Sequence, residues 1–100
     1  MPGGAEDLKT YNELYINTRN TLKRSGIEAY ALEARVLVAS AAGKSVQQLL
    51  RDLSLYTTDQ VEQQVAAFTA RRLEGEPVAY ITGDWEFYGL PIREIGRAHV

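Results

Sequence analysis

Three pairs of the form Ser/Thr-x-x-Glu/Gln constrain the fold of this chain more than any other feature. In such a capping box, the two side chains accept hydrogen bonds from backbone N–H groups that the first helical turn leaves unpaired. Glycines at positions 26, 43, 75 and 83 follow apolar runs with helical spacing, and glycine readily adopts the left-handed conformation that ends many helices. These start and stop signals predict an all-α chain. The three pairs are Thr10 with Glu13, Ser45 with Gln48, and Thr57 with Gln60.

The apolar spacing between these signals predicts a small bundle of about five helices over residues 10–83. The first helix begins at Thr10 and ends before Gly26. The second, over about 28–42, is apolar around nearly its whole circumference, so we expect it to be central and the most buried. A short third helix follows Ser45, a fourth runs from Thr57 to Glu74, and a fifth occupies 78–82. The expected core faces are Tyr11, Leu14, Tyr15, Thr18 and Leu22 on the first helix, Leu32, Val36, Leu37 and Val38 on the second, and Val61, Val65, Phe68 and Arg72 on the fourth.

The spacing changes from helical to strand-like after Gly83. Trp85 and Phe87 share one face, and Tyr88, Leu90 and Ile92 share the other, with the aromatic enrichment that is typical of strands. Because a lone strand is not stable in water, we expect residues 84–93 to be the start of a linker β-hairpin. This aromatic ribbon is predicted to be less ordered than the helices, either mobile or docked on a second copy. Residues 1–9 are expected to be a flexible leader and residues 94–100 a tail of non-native sequence.

Composition excludes several classes of function. A formal net charge of −2 and a pI near 5.4 disfavour a dedicated nucleic-acid-binding domain, which is usually basic. The chain has no cysteine and a single histidine, His99, so it offers neither a disulfide framework nor clustered metal ligands. No apolar run approaches the roughly 18 residues of a membrane span, and the first residues do not resemble a signal peptide. We therefore expect a cytoplasmic protein that does not contact a membrane.

Few side chains offer catalytic chemistry. The glycines are too sparse for a phosphate or dinucleotide loop, and the serines have no histidine base nearby in sequence. We therefore predict no catalytic, cofactor-binding or metal-binding residue. Four carboxylates lie close together in sequence, but we interpret them as solvated charges or helix-cap partners rather than as an acid/base pair. They are Glu74, Glu76, Asp84 and Glu86.

Two groups of residues are candidates for contact with a partner or a neighbouring domain. Arg71 and Arg72 either bind an anionic group or neutralise the C-terminal end of their helix. Arg72 lies on the core face, so its guanidinium is expected to meet Glu76 or Glu86. The aromatic group is either a partner-binding patch, because Tyr and Trp dominate binding hot spots, or part of a core between domains. The candidate residues are Arg71, Arg72, Tyr80, Trp85, Phe87 and Tyr88.

The order of these elements resembles the junction between the helical and catalytic domains of the HemK/PrmC-type release factor glutamine methyltransferases. The similarity covers about residues 11–93, and it is most specific downstream of the fourth helix. The matching segments are Arg71-Arg72, Gly75-Glu76-Pro77, Tyr80-Ile81-Thr82-Gly83 and Glu86-Phe87-Tyr88-Gly89-Leu90, with Glu33-Ala34, Val36-Leu37 and Gly43-Lys44-Ser45 upstream.

The resemblance implies a function that belongs to a longer enzyme. Members of this family transfer a methyl group from S-adenosylmethionine to the glutamine of the GGQ motif in class-1 peptide release factors. The family's cofactor loop, its Asn-Pro-Pro-Tyr motif and its Pro-Arg-Pro segment do not occur in this chain. We therefore expect the chain alone to be inactive and to bind no cofactor, while its helical domain helps to grip a class-1 release factor. Direct nucleic-acid binding is not expected.

The alternative is a stand-alone small helical protein-interaction module, unrelated to that family. The parent reading frame distinguishes the two. Continuation past Ile92 into a glycine-rich loop and an Asn-Pro-Pro-Tyr motif would indicate the methyltransferase.

Overall fold

The computed structural model describes residues 9–83, and over these residues the protein is all-α, as predicted. The one extended pairing in this range is an isolated antiparallel bridge between Thr10 and Tyr56. No helix within 9–83 is both long enough and apolar enough to cross a bilayer. Residues 1–8 of the predicted leader, the aromatic ribbon and the predicted tail lie outside the described residues. The helices are α1 (Tyr11–Arg24), α2 (Tyr30–Ala42), α3 (Val46–Arg51), α4 (Asp59–Leu73) and α5 (Val78–Thr82).

Helix α2 lies at the centre of the bundle, as its apolar circumference predicts. It packs against α1, α3, α4 and α5, and its Ala34, Leu37 and Val38 are fully buried. It begins at Tyr30 rather than at about residue 28, because the chain first closes the end of α1 and then has to turn. In that closure, the backbone N–H of Ile27 donates to the carbonyl of Leu22. Leu32 departs from the prediction, since it is 45% exposed.

The core consists of two clusters on either side of α2. The α3-side cluster joins the start of α1 to the later half of α2, α3 and α4, and the α5-side cluster joins the end of α1 to the earlier half of α2 and α5. Tyr15, Tyr30 and Phe68 are partly buried against the α5-side cluster. The buried members are Tyr11, Leu14, Val38, Ala39, Leu49 and Val65 in the first cluster, and Leu22, Ala34, Val36, Leu37, Val78 and Ile81 in the second.

Two of the three predicted capping boxes are confirmed. The N–H of Glu13 donates to the Thr10 hydroxyl over 3.1 Å, and the N–H of Thr10 donates to a Glu13 carboxylate oxygen over 2.9 Å. Ser45 and Gln48 make the equivalent pair at the start of α3. Both boxes supply acceptors to orphan donors of a first helical turn.

The third predicted capping box, Thr57 with Gln60, is wrong. Helix α4 is capped by Thr58, whose hydroxyl accepts from the N–H of Val61 over 3.2 Å. Thr57 is buried, and its N–H donates to the carbonyl of Lys9 over 2.8 Å. Because Thr57 is held against the start of α1, the helix begins one residue later.

The loop of residues 53–57 covers the first turn of α1. The N–H of Tyr11 donates to the carbonyl of Leu55, and the N–H of Asn12 donates to the carbonyl of Leu53, each over 2.9 Å. Together with the Thr10 hydroxyl, these carbonyls satisfy donors that a helix start otherwise exposes.

Candidate partner-binding surface

The turn from α4 to α5 is fixed by its backbone. The N–H of Glu76 donates to the carbonyl of Arg71 over 3.1 Å, and the N–H of Gly75 donates to the carbonyl of Arg72 over 3.0 Å. This is a Schellman motif, and it requires the left-handed φ of 104° that Gly75 adopts. Two of the predicted contact residues, Arg71 and Arg72, therefore stand on a rigid helix end, and Tyr80 follows it on α5.

Arg72 points into the bundle and pairs with Glu33. Its Nε donates to Glu33 Oε1 over 2.7 Å, and the Glu33 side chain is only 8% exposed. Of the two partners expected for Arg72, Glu76 binds Arg71 instead, and Glu86 lies outside the described residues. The face of α4 that carries Arg72 is turned towards α2, where the buried carboxylate of Glu33 requires a cation.

Arg71 points outward and binds Glu76 through two hydrogen bonds. Its Nε donates to Glu76 Oε1 over 2.9 Å, and a terminal guanidinium nitrogen donates to the second carboxylate oxygen. These hydrogen bonds raise the pKa of Arg71 and lower the pKa of the Glu76 carboxyl. A carboxylate that is held ionised near neutral pH is poorly suited to general acid–base catalysis, which supports our interpretation of Glu76 as a partner in the turn.

Of the four candidate aromatic residues, only Tyr80 lies within 9–83. It is 42% exposed on α5, whereas its neighbours Val78, Ala79 and Ile81 are buried. Trp85, Phe87 and Tyr88 lie beyond the described range. The contact role assigned to the six candidate residues stays a prediction.

Sequence reasoning missed a second surface, in which three cations lie over two tyrosine rings along the α1–α2 contact. Arg19 Cζ is 5.3 Å and Lys23 Nζ is 5.5 Å from the centroid of the Tyr30 ring. Arg35 Cζ is 5.8 Å from the centroid of the Tyr15 ring. We call these five residues the basic–aromatic seam. A signal existed in the sequence, because Tyr15, Arg19 and Lys23 recur every four residues and so share one helix face.

A groove of about 470 Å³ lies between α1 and α4. Small and apolar side chains line it, among them Thr18, Ala66, Ala70 and Leu73. Among residues 9–83, no group of three or more His, Cys, Asp or Glu side chains is arranged to hold a metal ion.

Comparison with known proteins gives one consistent family. The family model described as the PrmC N-terminal domain matches residues 13–83. Release factor glutamine methyltransferases from Haemophilus influenzae and Bradyrhizobium diazoefficiens are 39% and 36% identical to this chain over 70 and 72 residues. The enzyme of the same name from Agrobacterium fabrum is 33% identical over 92 residues, which is 92% of this chain.

The chain spans about a quarter of the length of these relatives. The matched region is 70% of this chain but 24% of the Haemophilus enzyme, and 72% of this chain but 24% of the Bradyrhizobium enzyme. It is 31% of the Agrobacterium enzyme. No solved structure matches the chain significantly.

Proposed function

Because this chain belongs to the family of PrmC N-terminal domains, we propose that it is the substrate-recognition domain of a release factor glutamine methyltransferase. One observation carries the proposal: the residues that match the family model are nearly the same as those that form the five-helix bundle. The match begins within α1 and ends at Gly83, the residue that caps the end of α5. The family model therefore covers nearly the whole of the five-helix bundle.

The proposed partner is a class-1 peptide release factor, and the proposed role is to hold it while another part of the enzyme acts on it. The names of the relatives support a release factor as the substrate. In the whole enzyme, we propose transfer of a methyl group from S-adenosylmethionine to the GGQ glutamine. A rigid domain beside a catalytic site favours such a reaction, because it fixes the orientation of a large substrate before the chemistry begins.

The proposal is tested by calorimetry with the 100-residue chain. We expect saturable binding of a purified class-1 release factor and no binding heat with S-adenosylmethionine. An unrelated protein of similar size that lacks an acidic segment is the matched control. When chain, cofactor and release factor are incubated together, mass spectrometry should find no methylated glutamine.

Two results would contradict this proposal. Absence of binding to the release factor would remove the recognition role. Saturable binding of S-adenosylmethionine would show that the chain has a cofactor site of its own.

A further inference from the structure

We propose that the basic–aromatic seam binds an acidic segment of the partner protein. The proposal deepens the proposed function and rests on it for the identity of that partner, a class-1 release factor. The surface consists of Tyr15, Arg19 and Lys23 on α1 and Tyr30 and Arg35 on α2.

Unpaired positive charge is concentrated at this end of the bundle. Within residues 9–83, the ion pairs use Lys9, Lys44, Arg71 and Arg72 as their cations. The remaining cations of this range form no ion pair. One of them, Arg51, lies on α3, and the others lie on the later half of α1 and the earlier half of α2. These others are Arg19, Lys23, Arg24 and Arg35.

No carboxylate of the described range forms an ion pair with these four cations. Glu28, in the turn between α1 and α2, forms no ion pair there, and Glu33 is buried against Arg72. A chain with a net charge of −2 thus presents a locally positive face. Such segregation of charge attracts an oppositely charged partner and accelerates its association.

The tyrosines hold the cations in place before a partner arrives. Each ring offers its negative face to a cation, and both rings are partly buried against the α5-side cluster, which fixes their positions. Preorganised side chains lose less conformational entropy on binding than freely rotating ones. The Nε of Arg35 is buried and makes no hydrogen bond, so this guanidinium is partly desolvated. A carboxylate that approaches it is attracted more strongly than in bulk water.

The seam adjoins the core cluster to which α5 contributes. Tyr15 and Tyr30 pack against the same cluster as Val78 and Ile81 of α5, and α5 ends at Gly83.

An acidic protein segment fits this surface better than a nucleic acid does. The seam presents three cations on a chain with a pI near 5.4, whereas nucleic-acid-binding domains usually carry a broad basic face. Two tyrosines that are covered by cations are also poorly placed to stack on bases.

The test measures association of the 100-residue chain with a purified class-1 release factor by a surface-based kinetic assay. Lys23→Glu reverses one exposed charge of the seam, and Arg51→Glu makes the same change on α3 as a matched control. We expect Lys23→Glu to lower the association rate constant about tenfold, and Arg51→Glu to change it less than about twofold. Arg19→Gln is a second variant that removes a charge without reversing it, and circular dichroism verifies that each variant is folded.

Two further arms identify the ligand chemistry. A ten-residue polyglutamate peptide should compete with the release factor for the wild-type chain, whereas a ten-nucleotide single-stranded RNA should not. Raising the NaCl concentration from about 50 mM to about 300 mM should weaken wild-type binding more than Lys23→Glu binding, because screening acts on the charge that the variant lacks.

The outcomes separate the two proposals. Release factor binding that is equally fast for wild type and Lys23→Glu would overturn the seam and leave the proposed function standing. Absence of release factor binding by the wild-type chain would overturn the proposed function, and the seam proposal with it. Competition by RNA but not by polyglutamate would overturn the acidic protein segment in favour of a nucleic acid.

Discussion

At the scale of single residues, the ion pair of Glu33 and Arg72 joins the central helix α2 to the end of α4. Glu33 lies on the central helix and is 6% exposed, and Arg72 reaches it from the last turn of α4. A buried charge pair adds little net stability compared with apolar packing, but loss of one partner leaves an uncompensated charge. The pair therefore specifies how α4 lies on α2.

We expect Arg72→Ala to lower the free energy of unfolding by about 2–3 kcal/mol, because it leaves the Glu33 carboxylate buried and unpaired. This loss is at the lower end of the range for breaking a buried ion pair, because the Arg72 side chain is 22% exposed. Urea denaturation measures the loss. In the Arg72→Ala background, Glu33→Gln should restore part of it by removing the charge.

The matched control is Arg71→Ala, one position earlier in the same helical turn. Its ion pair is exposed to solvent, so we expect a much smaller loss than for Arg72→Ala. Equal losses for the two variants would show that burial of Glu33 does not decide the effect.

Phe68 has a smaller role than its place on the apolar stripe predicts. It is only partly buried, against the α5-side cluster. We expect Phe68→Ala to cost about 2 kcal/mol, below the 3–5 kcal/mol typical of a fully buried phenylalanine. Leu37→Ala, at a position with 0% exposure, should cost more, about 3–4 kcal/mol. Urea melts that reverse this order would mean that Phe68 is packed on all sides.

At the scale of elements, the α4–α5 turn should respond to acid through Glu76. The pKa of this carboxyl is lowered in the folded protein by its hydrogen bonds to Arg71, from an ordinary value of 4.5. Stabilisation from a lowered pKa is complete above the ordinary value and is lost as the pH falls through the folded-state value. We therefore expect the stability difference between wild type and Glu76→Gln to be constant from pH 7 to pH 5 and to shrink below about pH 4.5. A difference that persists unchanged at pH 3 would mean that charge is not its cause.

The sequence predicts those elements whose determinants are local. The boxes at Thr10 and Ser45 each join residues three positions apart, so a single sequence contains both halves of the signal. The start of α4 was not predictable in this way, because Thr57 is held by Lys9 from the far end of the chain. Contacts that are distant in sequence override such local signals.

The distinction between local and distant determinants also applies to the candidate partner-binding surface. The last turn of α4 was predicted, but the partner of Arg72 was not, because Glu33 belongs to another helix. The basic–aromatic seam was missed for the same reason: each of its rings is covered by a cation from the other helix. A face pattern on α1 alone does not indicate which ring of α2 it meets.

At the scale of the whole molecule, the described members of both core clusters and the caps of the five helices lie within residues 9–83. We expect a chain that ends at Gly83 to keep its fold, with a melting temperature within about 4 °C of that of the 100-residue chain. Circular dichroism melts measure this. An unfolded product would show that residues 84–100 complete the core.

The same pair of chains tests the predicted self-association through the aromatic ribbon of residues 84–93. An exposed aromatic strand edge tends to pair with another chain. Sedimentation velocity at high concentration should therefore find dimers of the longer chain and only monomers of the shorter one. Monomers in both samples would contradict the prediction.

The loop that covers the start of α1 determines when that helix is completed during synthesis. A ribosome releases the chain from its N-terminus, so the residues of α1 emerge before those of α2 to α5. Yet the first N–H groups of α1 find their acceptors on Leu53 and Leu55, and Lys9 accepts from Thr57. The opening turn of α1 can therefore be completed only after α2, α3 and the loop of residues 53–57 have been translated and the chain has folded back.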